Sequence, residues 1–190
     1  VGGRIHWPRT LAAKGVAALQ RKHLHWTLPS AGPATLHLIV LDNSGSMRKG
    51  GRLALAKAFA SRLVEEATRA GTHVALLLFG GQGVQWVQNA APARRSVLPR
   101  VSGLGGGGGT PLVEALRQAQ AELQAFRRRH ASASRTLWLL TDGRSLEQPQ
   151  LPVDADHLVI VDFDDPRRPL GRCRQWAERW GAEWRRPLMP

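Results

Sequence analysis

The sequence holds a single cysteine, Cys173, among its 190 residues. An internal disulfide and a Cys-rich metal site are therefore excluded, and a reducing compartment is the simplest reading. No apolar run approaches the roughly 20 residues needed to span a bilayer, and Val1-Gly2-Gly3-Arg4 has no signal-peptide hydrophobic stretch. A cytoplasmic protein that makes no use of a membrane is expected on those grounds. Acidic residues are scarce as well: 14 Asp plus Glu stand against 27 Lys plus Arg, a formal charge of +13. Such a field favours an acidic partner. Nucleic acid is disfavoured in that role, because zinc-finger spacing, a basic helix with heptads and an aromatic RNA-binding strand motif are all missing. An acidic protein segment suits the charge equally well.

What is present is the balance of a folded domain, with 43% hydrophobic and 22% charged residues. The length suits one domain large enough to lay helices over both faces of a sheet. Residues 1–34 are mixed and punctuated by Pro and Gly, with a short helix expected over Thr10 to Gln20 and an alternating stretch from Lys22 to Leu28. They read as a lead-in segment that packs on a main domain spanning 35–190.

In that main domain the nearly continuous apolar run Leu36 to Leu41 has the pattern of a central strand covered on both faces. From Arg52 to Ala70 apolar residues recur at helical spacing, and Gly71 follows where the helix should end. Val74 to Phe79 predicts a second buried strand, with Val84 to Gln88 as its hairpin partner at the sheet edge. A short helix is expected over Ala93 to Val101, before a glycine run from Gly103 to Gly109. Thr110-Pro111 then opens a long helix to about His130, Pro111 being suited to a first turn. Thr136 to Thr141 and His157 to Val161 predict two more buried strands. A last helix is expected from Leu170 to Gly181, with Cys173, Trp176 and Trp180 sharing its core face. The alternation implies an α/β fold: a doubly wound, mostly parallel sheet with one antiparallel edge strand and helices on both faces. Ligands in such sheets bind beyond the carboxyl ends of the strands. Asp42 and Asp142 each directly follow a strand and should emerge at that edge.

Asp42-Asn43-Ser44-Gly45-Ser46 places three oxygen side chains on alternate residues of a strand-to-helix turn, where Gly45 is expected to let the chain bend around a cation. Hard oxygen ligands suit Mg²⁺, which needs distances of roughly 2.0–2.1 Å, better than Ca²⁺, and Mn²⁺ is an alternative. Asp142 would join Asp42 in offsetting the charge, and Thr110 would add a hydroxyl from the glycine loop. Taken alone, Asp42 and Asp142 read as helix caps or turn formers. Matched oxygens on three separate loops point instead to a metal.

Three motifs carry a resemblance. They are Asp42-Asn43-Ser44-Gly45-Ser46-Met47 after an apolar strand, Gly107-Gly108-Gly109-Thr110-Pro111-Leu112 opening a helix, and Leu139-Leu140-Thr141-Asp142-Gly143 ending another strand. Over roughly residues 35 to 185 they resemble von Willebrand factor A domains. Within that superfamily the glycine motif, and the lead-in through Arg4-Ile5-His6-Trp7, look most like the C-terminal domain of the D subunit of magnesium and cobalt chelatases. The resemblance implies a metal-ion-dependent adhesion site with Asp42, Ser44, Ser46, Thr110 and Asp142 as its metal contacts. It also implies a non-catalytic subunit coupling an AAA+ ATPase to a large tetrapyrrole-binding subunit, in chlorophyll- or cobalamin-type biosynthesis. An acidic residue of a partner would complete the metal's coordination. D subunits usually carry an AAA+ module and an acidic, proline-rich linker, which this sequence does not show. Gly103 to Thr110 has no Lys and is not a phosphate-binding loop, so the ATPase is expected on another polypeptide.

Other readings stand beside this one. An adaptor for a MoxR-type AAA+ ATPase in metalloenzyme maturation, or a general protein-binding module, would use the same site. An extracellular adhesin is disfavoured by the missing signal and disulfides, and a hydrolase using Ser44 by the missing Gly-x-Ser-x-Gly elbow. His23, His25 and His37 could form a transition-metal site, but histidines beside Arg21 and Lys22 read more simply as a solvated strand edge. Arg127-Arg128-Arg129 reads as a solvated helix end, with Arg128 as the residue to test for partner steering. Asp162, Asp164 and Asp165 are expected in a turn closed by Pro166.

Overall fold

A computed structural model of the chain describes residues 4–5, 7–27, 34–97 and 111–187. They divide into two units, Val1–Pro33 and Ala34–Pro190. In the first, β1 (Arg4–Ile5) pairs antiparallel with β2 (Trp26–Thr27). Between them lies α1 (Trp7–Lys14), which starts earlier than the expected Thr10 and ends short of Gln20. The stretch from Lys22 is not one strand, because Arg21–His23 forms a 3₁₀ turn in which the Gln20 amide donates to His23 Nδ1 at 3.2 Å. The Thr10 hydroxyl accepts from the His25 amide at 3.0 Å, tying α1 to the segment leading into β2.

The second unit is built on β3 (Thr35–Asp42), whose last five residues are all buried. A four-residue helix α2 (Gly45–Arg48) and a 3₁₀ turn (Lys49–Gly51) lead into α3 (Arg52–Ala70). Gly50 and Gly51 have φ of 63° and 74°, values that side chains with a Cβ resist. These two glycines, and not Gly45, make the bend: Gly45 has an ordinary helical backbone, and a Cβ there would meet nothing within 4 Å. α3 buries Ala56, Ala60, Leu63, Val64 and Ala67 on one stripe and stops at Gly71 in the left-handed conformation, as its spacing predicts.

Strand β4 (His73–Gly80) lies parallel to β3, and β5 (Gly83–Pro92) returns antiparallel as the edge. β5 runs farther than Gln88, and in the described part, 93–97, of the helix expected over Ala93 to Val101, only Arg95–Val97 is helical, as a 3₁₀ turn. Residues 98–110, including the glycine run and Thr110, lie outside the described residues. α4 (Leu112–Arg129) follows, burying Leu112, Ala115, Leu116, Ala119, Leu123 and Phe126. Then come β6 (Ser134–Thr141), β7 (His157–Asp162), α5 (Arg172–Trp180) and β8 (Glu183–Arg185). β8 extends the sheet where the sequence predicts no strand.

The six-stranded sheet has the order β5-β4-β3-β6-β7-β8, and every neighbouring pair is parallel except β4 with β5. One core, against one face, gathers α4, α5 and inward residues such as Leu38, Leu77 and Leu139. The other gathers α3 with Ile39, Leu76 and Leu140. Alternate residues of β3 thus serve opposite cores, the period-two rule of a strand covered on both sides. The chain leaves β3 towards β4 and comes back on its other side as β6, so the strand order reverses between β3 and β6. That is where a doubly wound sheet opens a crevice at its carboxyl edge. Among the described residues no helix is long and apolar enough to cross a membrane.

Candidate functional site

The crevice is where Asp42 and Asp142 meet. Leu41 pairs with Leu140 across the β3–β6 ladder, so the next residues, Asp42 and Thr141, stand side by side. The Thr141 hydroxyl donates to Asp42 Oδ2 at 2.6 Å. Asp42 Oδ1 accepts from the Ser44 amide at 2.9 Å, the Asx-turn that starts the β3–α2 loop. Burial pushes the Asp42 carboxyl up to about 6, against the Thr141 and Ser44 hydrogen bonds that favour its ionised form, and nearby Asp142 adds to the rise. A carboxylate so placed gains from a cation beside it.

The hydroxyl oxygens of Ser44 and Ser46 stand 3.0 Å apart. That is an ordinary hydroxyl–hydroxyl hydrogen bond. It also equals, within rounding, the edge of an octahedron whose bonds are about 2.0–2.1 Å, which comes to about 2.9 Å. Asp142 has a fully buried side chain whose Oδ1 accepts from the Arg144 amide at 3.1 Å. Four of the five residues expected at a metal are therefore brought to one crevice: Asp42, Ser44, Ser46 and Asp142. Thr110, the fifth, lies outside the described residues. The donor set is all oxygen, with two carboxylates and two hydroxyls on adjoining loops, and its chemistry fits a small hard divalent ion. Among the described residues no group of three or more His, Cys, Asp or Glu could hold a metal, so any ion here would rely on the serine hydroxyls as well as the two carboxylates.

The loop is held from below. The Asn43 amide donates to the Phe79 carbonyl at 2.7 Å, and the backbone passes so close to Gly80 that a Cβ there would lie 2.9 Å from the Asn43 carbonyl carbon and oxygen. Gly143, at φ 69°, turns the chain away after Asp142, with Cys173 Sγ 3.0 Å from where its Cβ would be.

Two cations that the spacing does not predict also face Asp142. Arg52, the first residue of α3, places Nη1 3.2 Å from Asp142 Oδ2 and 3.5 Å from the Ser46 carbonyl, and Nη2 3.5 Å from Asp165. Arg144 places Nε 3.6 Å from Asp142 Oδ2 and donates to Asp164 at 2.9 Å. The expected turn lies later than predicted: Asp162 is the last residue of β7, and the turn opens at Asp165, whose carbonyl accepts from the Arg168 amide with Pro166 at the second position, where proline is favoured. Only Arg144 among the motif residues' neighbours could have been found from sequence, because it follows the Asp142-Gly143 turn directly.

The remaining candidates fall elsewhere. Exposed Arg128 sits in the last turn of α4, beside the start of β6 and so at the sheet edge opposite Asp42. His37, early in β3, accepts from the Trp138 indole at 3.3 Å, and burial lowers its basicity. Trp176 and Trp180 stack with ring centroids 6.1 Å apart in the core.

The family described as von Willebrand factor type A domain matches residues 37–144, more than half of the chain. The chain belongs to that family. Its sequence is also similar to the magnesium-chelatase 60 kDa subunit of Cereibacter sphaeroides, 40% identical over 111 residues, covering 56% of this chain and 19% of that protein. The Rhodobacter capsulatus magnesium-chelatase 60 kDa subunit is 34% identical over 107 residues, covering 56% and 18%. The chain spans about a fifth of the length of these relatives. In fold it resembles the von Willebrand factor type A protein of Catenulispora acidiphila, with a TM-score of 0.60 at 21% identity over 86% of this chain and 40% of that one. It likewise resembles the conserved hypothetical protein BatB of Bacteroides thetaiotaomicron, with a TM-score of 0.64 at 19% identity over 80% and 90%. These bear out the von Willebrand factor A architecture drawn from the three motifs and the likeness to magnesium-chelatase subunits.

Proposed function

We propose that Asp42, Ser44, Ser46, Thr110 and Asp142 hold one Mg²⁺, or Mn²⁺ in its place, as a metal-ion-dependent adhesion site for an acidic side chain of a partner. The domain is then a non-catalytic subunit of an AAA+-driven magnesium or cobalt chelatase in the cytoplasm, linking the ATPase to the large tetrapyrrole-binding subunit. The observation that carries this reading is the convergence of the four described oxygen residues in the β3–β6 crevice. The client class is supported by the likeness to the 60 kDa magnesium-chelatase subunits.

When bound, the ion would supply a Lewis-acidic point that accepts a carboxylate in place of water. The chain's own residues prepare that point. Strands β3 and β6 set Asp42 and Asp142 on either side of the crevice, and the Ser44 amide and Thr141 hydroxyl fix the Asp42 carboxylate in one orientation. The Arg144 amide does the same for Asp142. The surrounding charge of +13 draws acidic surfaces in over about a Debye length, roughly 8–10 Å at working salt.

Co-purification of the full chain from its native source, with partners identified by mass spectrometry, tests the reading. An AAA+ ATPase and a large chelatase subunit are expected with Mg²⁺ present and lost on adding EDTA or with Ser46→Ala. Recovery of an AAA+ ATPase without any chelatase subunit would move the client to metalloenzyme maturation, and a complex indifferent to EDTA would remove the metal bridge.

A further inference from the structure

Asp142 is fully buried, yet it meets two guanidinium groups, and the two are not equally committed. Arg144 has a strong partner of its own, Asp164 at 2.9 Å, and lies 3.6 Å from Asp142. Arg52 has no equally close alternative in these contacts: its 3.2 Å approach to Asp142 is the shortest of three, the others being Asp165 and the Ser46 carbonyl at 3.5 Å each. Its side chain is 18% exposed, and it stands at the start of α3 directly after the left-handed pair Gly50 and Gly51. The guanidinium therefore has a second acidic neighbour already in reach should Asp142 be taken by another cation.

The charges around the crevice point the same way. Asp142, Asp164 and Asp165 face Arg52 and Arg144, whereas Asp42, whose carboxyl the charge of Asp142 helps to raise, has no arginine among these ion pairs.

We propose that Arg52 is a displaceable counter-ion of the metal site, competing with the divalent ion for Asp142 and passing to Asp165 when the ion binds. The inference rests on the metal-site reading above. Arg52 then sets the affinity: it keeps ion binding weak in the isolated domain, so that the ion is held firmly only when a partner carboxylate adds its charge. A unit positive charge next to a ligand carboxylate opposes a divalent ion even through water, on the order of tenfold in affinity.

The test is titration of the full chain with Mn²⁺, read by electron paramagnetic resonance of the free ion, alongside nitrogen-15 spectra of the arginine side chains under Mg²⁺. Arg52→Gln is expected to bind Mn²⁺ about tenfold more tightly, Arg52→Lys to stay near the parent chain, and the Arg52 Nε resonance to move as Mg²⁺ is added. Loss of binding in Asp142→Ala with no tightening in Arg52→Gln overturns the role of Arg52 and leaves the site standing. Binding that survives Asp142→Ala overturns the site and the inference together. Should Arg52→Gln fail to fold, Asp165→Asn reads the same coupling: binding about threefold weaker is expected, and unchanged binding overturns the exchange.

Discussion

The two oxygens of Asp42 face different neighbours, and the difference decides what the residue can do. Oδ1 is tied to its own loop through the Ser44 amide, and Oδ2 to the next strand through the Thr141 hydroxyl, so a single side chain joins loop and sheet. Thr141 in turn accepts from the Gly143 amide at 3.1 Å, which places the turn after Asp142. Replacing that hydroxyl by a methyl removes the donor without changing the volume, and Val is not an innocent exchange for a bonded Thr. Thr141→Val is expected to lose about 1–2 kcal/mol in denaturant unfolding, the cost of a buried acceptor left short of a partner, and to weaken Mg²⁺ binding several-fold. Unaltered stability and binding would show that Asp42 is oriented by Ser44 alone. Thr141 stands in the motif that the sequence displays, whereas the approach of Arg52 to Asp142 spans 90 positions and no local pattern announces it.

At the level of elements, the site depends on how closely β4 supports the loop after β3. Gly80 ends β4 under Asn43, and an added methyl would press on backbone that cannot rotate away. Gly80→Ala is expected to cost about 1–3 kcal/mol in stability and to shift the Ser44 and Ser46 amide signals. Gly45→Ala, in a helical turn with open space, should leave stability within about 0.5 kcal/mol. Equal effects of the two substitutions, measured by urea unfolding, would contradict this support. The strands β3, β4, β6 and β7 were legible because each is an apolar run covered on both faces, and the helices α3 and α4 because their apolar residues recur at helical spacing. β8 was not, since Glu183–Arg185 is exposed and its place is set by backbone pairing with Val159 to Val161. The far end of β5 was hidden too: its register with β4 shifts twice between Val74 and Leu77, and such irregularities break the alternation by which an edge strand is recognised. The short helix in the first unit ends at Lys14, before the expected Gln20, because Gly15 follows in the left-handed conformation at φ 54°.

Across the whole molecule, two charge scales oppose each other. The chain carries +13 overall, which repels a free cation, while the β3–β6 crevice concentrates carboxylates that attract one. Mg²⁺ binding by the isolated chain is therefore expected to be weak, and salt that screens the distant arginines should hinder it less than it hinders the approach of an acidic partner. The two cores are complete without an ion, since β3, β4, β6 and β7 are packed on both faces by apolar side chains, so losing the ion should leave the fold intact. The central claim, that Asp42 and Asp142 belong to one divalent-cation site, is tested most directly by calorimetric titration of MgCl₂ into the chain and into Asp42→Ala and Asp142→Ala, with circular dichroism as the check on folding. One ion per chain is predicted for the parent, with binding abolished in both folded variants; unchanged binding in both would contradict the site.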